Sequence, residues 1–156
     1  MIQHQKTLYC EEETVQFAHA IAPYLGVGKT ILLVGSIGAG KSFFSRAVIK
    51  SILGQATEVP SPTFTLVQTY EAPEFDIWHC DLYRLVDPEH VSELGLFEAF
   101  ETAACLVEWP DRLGGDAPSD ALTLDFRVEP NSEVRTVTLT GAQHVWGSIL
   151  DECRVA

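Results

Sequence analysis

Gly35-Ser36-Ile37-Gly38-Ala39-Gly40-Lys41-Ser42 spell G-x-x-x-x-G-K-S directly behind the apolar run Thr30-Ile31-Leu32-Leu33-Val34. Glycines in such a loop let the chain curl until successive backbone N–H groups point inward at phosphate oxygens. A helix starting at about Ser42 turns its positive dipole end on the same anion. Lys41 is placed to reach the β- and γ-phosphates as a point charge, and Phe43 follows where the helix begins. The Ser42 hydroxyl is placed to complete a Mg²⁺ shell. A strand before and a helix after form the context in which this motif holds phosphate, so a nucleoside triphosphate is the expected ligand.

A loop of this kind works with a carboxylate from a neighbouring strand, which holds Mg²⁺ or its water shell and orients an attacking water. Two apolar runs end in acids, Ile77-Trp78-His79-Cys80-Asp81 and Cys105-Leu106-Val107-Glu108. The carboxyl ends of parallel strands form the ligand crevice of an open sheet, so both acids are expected near the γ-phosphate. The residues alone leave open which of them holds the metal and which positions water. Thr63 and Thr65 follow the helix where nucleotide switches keep a γ-phosphate-sensing hydroxyl. Trp109, next to Glu108, reads as a core aromatic or an exposed recognition residue, with core packing favoured. Adenine contacts are expected from the segment near Glu11 and the hairpin around Arg135.

The nucleotide is expected to be ATP. A guanine reader of the form Asn-Lys-x-Asp is missing, because Asn131 is the only asparagine and no lysine follows it. The glycine-rich signature segment of ABC-type ATPases is also missing. Between the loop's helix and the C-terminal strands the chain offers only Arg84 and Arg112 as clamps for a transferring phosphate. An ATPase or ATP switch therefore leads. A phosphotransferase using Asp81 as base and Arg84 as clamp stays behind it, beside a sensor whose partner affinity depends on ATP.

The elements that must carry these groups follow from periodicity. Val15, Ala18, Ala22 and Leu25 recur at helical spacing over Glu11–Leu25, with Glu11-Glu12-Glu13 at the end where the dipole favours negative charge. The spacing predicts a strand at Thr30–Val34 and a helix over Ser42–Leu53 closed by Gly54. Strands are expected near Thr65–Tyr70, at Phe75–Cys80 and at Ala103–Val107. One or two short helices broken at Gly95 should span Pro88–Phe100. A turn-rich loop covers Pro110 to Pro118, strands Ala121–Val128 and Val134–Thr140 flank the turn Pro130-Asn131-Ser132, and Gln143–Cys153 reads as a terminal helix. Alternation early and a hairpin late give an α/β fold: a P-loop NTPase core, with a mostly parallel central sheet flanked by helices and antiparallel C-terminal strands.

The 156 residues suit one P-loop ATPase domain, residues 1–156, large enough for one core and a nucleotide cleft. No apolar run approaches the roughly 20 residues of a membrane helix, and the N-terminus lacks a signal-peptide core. A cytoplasmic protein without membrane contact is expected. Cys10, Cys80, Cys105 and Cys153 are scattered without C-x-x-C pairing, which supports neither metal ligation nor a disulfide framework. Cys80 and Cys105 lie in apolar runs and read as buried thiols. The formal charge of −12 repels phosphate backbones and disfavours direct nucleic-acid binding, while it suits docking on a basic protein surface.

Taken together, these blocks resemble the TsaE (YjeE) family, small bacterial ATPases required for threonylcarbamoyladenosine modification of tRNA. Ser61-Pro62-Thr63-Phe64-Thr65-Leu66 is similar to the family's S-P-T-[YF]-T-L, and His79-Cys80-Asp81-Leu82-Tyr83-Arg84-Leu85 to its H-x-D-x-Y-R-L. Val107-Glu108-Trp109-Pro110 matches V-E-W-P, and Glu93-Leu94-Gly95 lies where the family has an E-x-x-G stretch. The resemblance implies ATP and Mg²⁺ at Gly35–Ser42, with Ser42 and Glu108 as magnesium ligands and Asp81 as an acid important for activity. It also implies Thr63 and Thr65 as switch threonines and Trp109 in the block tied to nucleotide and partner function. It further implies weak ATPase activity alone and action with the TsaD–TsaB pair, which modifies adenosine 37 of tRNA. ATP hydrolysis would reset that pair for repeated turnover, with tRNA reached only through the complex. Two departures stand out: Ser36 and Ile37 replace the Asp and Leu of the family's G-D-L-G-A-G-K-T-[TS], and Phe43 replaces a hydroxyl residue that often follows the loop.

Overall fold

The structure, a computed structural model, describes residues 1–155, with the side chains of residues 153–155 outside the description. Seven strands form one mixed sheet: β1 Ile2–Leu8, β2 Thr30–Gly35, β3 Val67–Glu71, β4 Asp76–Asp81, β5 Ala104–Glu108, β6 Leu122–Val128 and β7 Arg135–Gly141. Their order across the sheet is β1-β7-β6-β2-β5-β4-β3. The four central strands β6, β2, β5 and β4 run parallel, and antiparallel partners close both edges. The sheet therefore has the parallel centre and antiparallel C-terminal hairpin that the sequence predicts. It also has an N-terminal edge strand, β1, that the sequence reading does not contain.

Helices α1 Glu11–Ile21, α2 Lys41–Leu53, α3 His90–Glu93, α4 Leu96–Thr102 and α5 Gln143–Val155 flank the sheet. The α1 helix ends before the predicted Leu25 because Pro23 has no N–H to continue it, and Ala22–Tyr24 tighten into a 3₁₀ turn. Gly95, at φ +79°, separates α3 from α4 as its spacing suggests.

Strands β2 and β5 are buried on both faces, which is why they read as unbroken apolar runs. Successive side chains alternate between two cores. Ile31, Leu33, Ala104 and Leu106 join Phe17 of α1, Phe44 and Val48 of α2 and Trp146 of α5. Leu32, Cys105 and Val107 join Val91, Leu96 and Ala99 of the short helices. Period two then carries Glu108 to the face of Ala104 and Leu106, and Asp81 and His79 to the face of Ile77. That is the face α2 covers.

Cys80 and Cys105 are buried free thiols, as expected of a cysteine in an apolar strand, and Cys10 is half-buried and free. Cys153 lies outside the described side chains. No helix among the described residues is long and apolar enough to cross a membrane.

Candidate functional site

The glycine loop leaves β2 at Gly35 and enters α2 at Lys41. Gly35 has no room for a side chain, since a Cβ there would lie 2.7 Å from the Phe126 carbonyl oxygen of β6. Gly40, at φ +106°, turns the chain into α2 in a conformation that L side chains rarely adopt. The loop is thus pressed against the sheet, with the first turn of α2 aimed over the ends of β5 and β4.

Register completes the constellation. Asp81 stands opposite Glu108 across β4 and β5, and Glu108 stands opposite Leu33 of β2. Lys41, Asp81 and Glu108 are all buried, at 4%, 5% and 2% exposure, which charged side chains tolerate only when partnered. The Ser42 hydroxyl donates to the Glu108 carboxylate, 2.8 Å from Oε1 and 3.1 Å from Oε2. Asp81 accepts from Thr63 Oγ1 at 3.3 Å and from the Tyr83 backbone N–H at 3.0 Å. Lys41 Nζ donates to the Gly35 carbonyl and lies 3.5 Å from the centre of the Trp109 ring. Burial pulls the Lys41 ammonium below its ordinary value, against the opposing attraction of Glu108, Asp81 and Asp111.

These groups line one cleft of about 540 Å³. It brings together Ile37, Gly38, Ala39, Gly40, Lys41, Ser42 and Phe43 with Thr63, Asp81, Glu108 and Trp109. Gly35 and Ser36 fall outside it and border a second cleft, which shares Trp109 and Phe126 with the first. Thr65 is exposed and bonded to Gln68 at 3.1 Å, away from the cleft lining. Glu11 and Arg135, the residues expected near adenine, line the same cleft. Arg135 Nε donates to the Ala39 carbonyl at 3.1 Å and ties the β6–β7 hairpin to the glycine loop.

Trp109 is more than a core aromatic. It packs 4.8 Å from the Tyr83 ring, floors the cleft under Lys41 and holds a left-handed backbone at φ +58°. Leu66, at the end of the Thr63–Thr65 turn, is likewise left-handed at φ +68°. Non-glycine residues in this region cost roughly 1–3 kcal/mol each and gather where a site over-determines the backbone. Arg84 is exposed, its guanidinium 4.3 Å from the Phe64 ring, and it does not line the cleft. Arg112 is directed at the Tyr83 carbonyl. The two arginines that a phosphotransferase would need as clamps are thus engaged elsewhere.

One participant escaped the sequence reading. His79 Nε2 lies 2.8 Å from Glu108 Oε2, in a pair that is almost wholly buried. Two signals pointed to it without assigning a role: His79 heads the His79-Cys80-Asp81 block, and it lies two residues before Asp81, on the same face of β4.

The donor set suits a hard divalent cation. It offers one hydroxyl and one carboxylate in contact, with a second carboxylate across the strand pair. Such a set, one hydroxyl and one or two carboxylates, is the kind that binds Mg²⁺ together with phosphate oxygens and water.

Comparison with known proteins gives a consistent result. The sequence model of the family described as threonylcarbamoyl adenosine biosynthesis protein TsaE matches residues 8–137. A Rickettsia bellii protein named tRNA threonylcarbamoyladenosine biosynthesis protein TsaE is 43% identical over 82% of this chain and 89% of its own length. A Bacillus subtilis protein of the same name is 31% identical over 90% of this chain and 87% of its own. The crystal structure of Bacillus subtilis YdiB superposes with a TM-score of 0.79 at 24% identity, covering 97% of this chain and 94% of that one, a likeness of fold.

Proposed function

The chain belongs to the TsaE family of tRNA threonylcarbamoyladenosine biosynthesis proteins, and we propose that it is that machinery's ATP-binding and ATP-hydrolysing subunit. It acts in the cytoplasm with TsaD and TsaB homologues and permits their repeated turnover, reaching tRNA only through them. The observation that carries this reading is the convergence of Lys41, Ser42, Asp81 and Glu108 on one cleft beneath a glycine loop. The net charge of −12 supports a protein partner rather than direct contact with tRNA.

The residues divide the work by position. Backbone N–H groups of Gly38 to Ser42 cradle phosphate oxygens, and Lys41 exchanges its Gly35 carbonyl for the β- and γ-phosphates. Ser42 and Glu108 would hold Mg²⁺, which when bound would supply positive charge against the phosphate oxygens. Asp81, anchored by the Tyr83 N–H, keeps a carboxylate oxygen beside Thr63 and orients the attacking water there. Phe43 and Trp109 exclude bulk solvent along the cleft, which strengthens each of these interactions.

The test is ATP turnover by the purified chain, alone and with the TsaD and TsaB homologues, with Lys41→Ala as control. Turnover should be weak alone and stimulated by the pair, and Lys41→Ala should lower it by about 10²- to 10³-fold. Turnover that the pair leaves unchanged, or that survives Lys41→Ala, would overturn the proposal.

A further inference from the structure

His79 plays no part in the mechanism above, yet its placement is costly. It lies inside β4 at 1% exposure, with Nε2 against Glu108 and with Nδ1 buried and without a hydrogen-bond partner. An imidazole carrying its proton on Nε2 donates to the carboxylate and leaves only a lone pair orphaned on Nδ1, the less costly of the two orphans. A leucine would fill such a site without any unsatisfied atom. What the imidazole adds is the Nε2 bond.

Glu108 needs that bond more than Asp81 needs its own partners. Asp81 has a short side chain and is pinned by the Tyr83 backbone N–H. Glu108 has one more rotatable bond, and among the described residues its carboxylate is held only by Ser42 Oγ and His79 Nε2. Ser42 is itself the other oxygen offered to the metal, so its bond to Glu108 is given up when a cation enters. His79 is the partner that remains. It reaches Glu108 diagonally across β4 and β5, since His79 faces Leu106 and Asp81 faces Glu108 in the register.

We propose that His79 is a positioning residue that keeps the Glu108 carboxylate turned toward Ser42, so that a Mg²⁺–nucleotide meets a ligand already aimed. The inference rests on the reading of the cleft as an ATP and Mg²⁺ site. It acts on the metal side alone, because phosphate contacts from the glycine loop and Lys41 do not pass through Glu108.

The test compares ATP affinity with Mg²⁺ and with EDTA, by calorimetry, in the full chain and in His79→Leu and His79→Gln. Leucine removes the donor; glutamine places an amide nitrogen where the imidazole carries Nε2. In His79→Leu the enhancement of ATP binding by Mg²⁺ should fall about 10- to 100-fold, the usual loss when an outer-shell partner of a ligand is removed. Affinity in EDTA should not change, and His79→Gln should keep most of the enhancement. On a Glu108→Gln background, His79→Leu should add nothing.

Full enhancement in His79→Leu, a loss that is equal in EDTA, or a glutamine variant as poor as the leucine one each overturn the inference. Should His79→Leu fail to fold, His79→Gln decides: enhancement kept supports the inference, and enhancement as low as in Glu108→Gln overturns it. If the unaltered chain binds no ATP in either buffer, the ATP reading fails and this inference goes with it. If it binds ATP without regard to His79, only this inference fails.

Discussion

Strands β2, β5 and β4 finish in Gly35, Glu108 and Asp81, whereas β6, β7 and β1 finish in residues with no such chemistry. The first three are parallel and covered on both faces, and β5 and β4 bury a carboxylate at their carboxyl ends. In the other half β7 runs antiparallel to both β6 and β1, and one face is less covered. Along β7, Val137, Leu139 and Gly141 are buried while Thr136, Thr138 and Thr140 are only half-buried, and β1 alternates in the same way. Helix α5 packs on that half through Trp146, whose indole N–H donates to the Asp120 carbonyl at 2.7 Å. One half of the sheet is organised to hold the fold, and the other to hold Lys41, Asp81, His79 and Glu108 out of water. Groups in the second half depend on each other, so a change there should reach the chemistry before it reaches the fold.

Two single substitutions and one double variant sharpen or break this division. Trp146→Ala should cost about 3–5 kcal/mol in denaturant unfolding, since it empties a large buried volume and orphans the Asp120 carbonyl. ATP affinity of the folded fraction should be unchanged, and a large loss of affinity would show that the halves are not separable. Gly35→Ala sits on the seam between β2 and β6. It should cost about 1–3 kcal/mol of stability, as strain and the contact with Phe126 O are relieved by shifting the loop. It should also weaken ATP binding, and a variant with normal affinity would mean that the seam does not set the loop.

The smallest effect concerns the thiols of the parallel half. Burial pushes Cys105 up to about 12 and Cys80 well above the ordinary thiol value of 9.0. Both stay protonated in the fold after the unfolded chain has begun to release its thiol protons. Their contribution to stability is therefore complete below pH 9 and declines as pH rises from there toward 12. Unfolding free energy measured from pH 7 to 11 should fall above 9, and less steeply in a Cys80→Ala, Cys105→Ala double variant. An equal slope in both proteins would assign the alkaline loss to other groups.

The glycine loop, Asp81 and Glu108 were legible in the sequence because covalent spacing defines them: a run of buried residues, then a turn or an acid. The β1 strand was not legible. Gln3, His4, Gln5 and Lys6 offer little apolar alternation, and the strand exists because Ile2 to Leu8 pair with Gly141 to Arg135 at the far end of the chain. Thr63 and Thr65 looked equivalent in sequence, yet only Thr63 lines the cleft, bonded to Asp81, while Thr65 is bonded to Gln68. Arg135 was singled out only in general, and its bond to the Ala39 carbonyl depends on where the hairpin folds back.

By itself the sequence determined the phosphate-type loop, the two strand-end acids, the parallel centre of the sheet and the family. All of these rest on residue type and on neighbours a few positions apart. Only the tertiary structure decided that His79 holds Glu108, that Trp109 lies under Lys41 and that Glu11 and Arg135 share the cleft. Those contacts depend on strand register and sheet order, which bring together atoms that the chain itself separates by tens of residues.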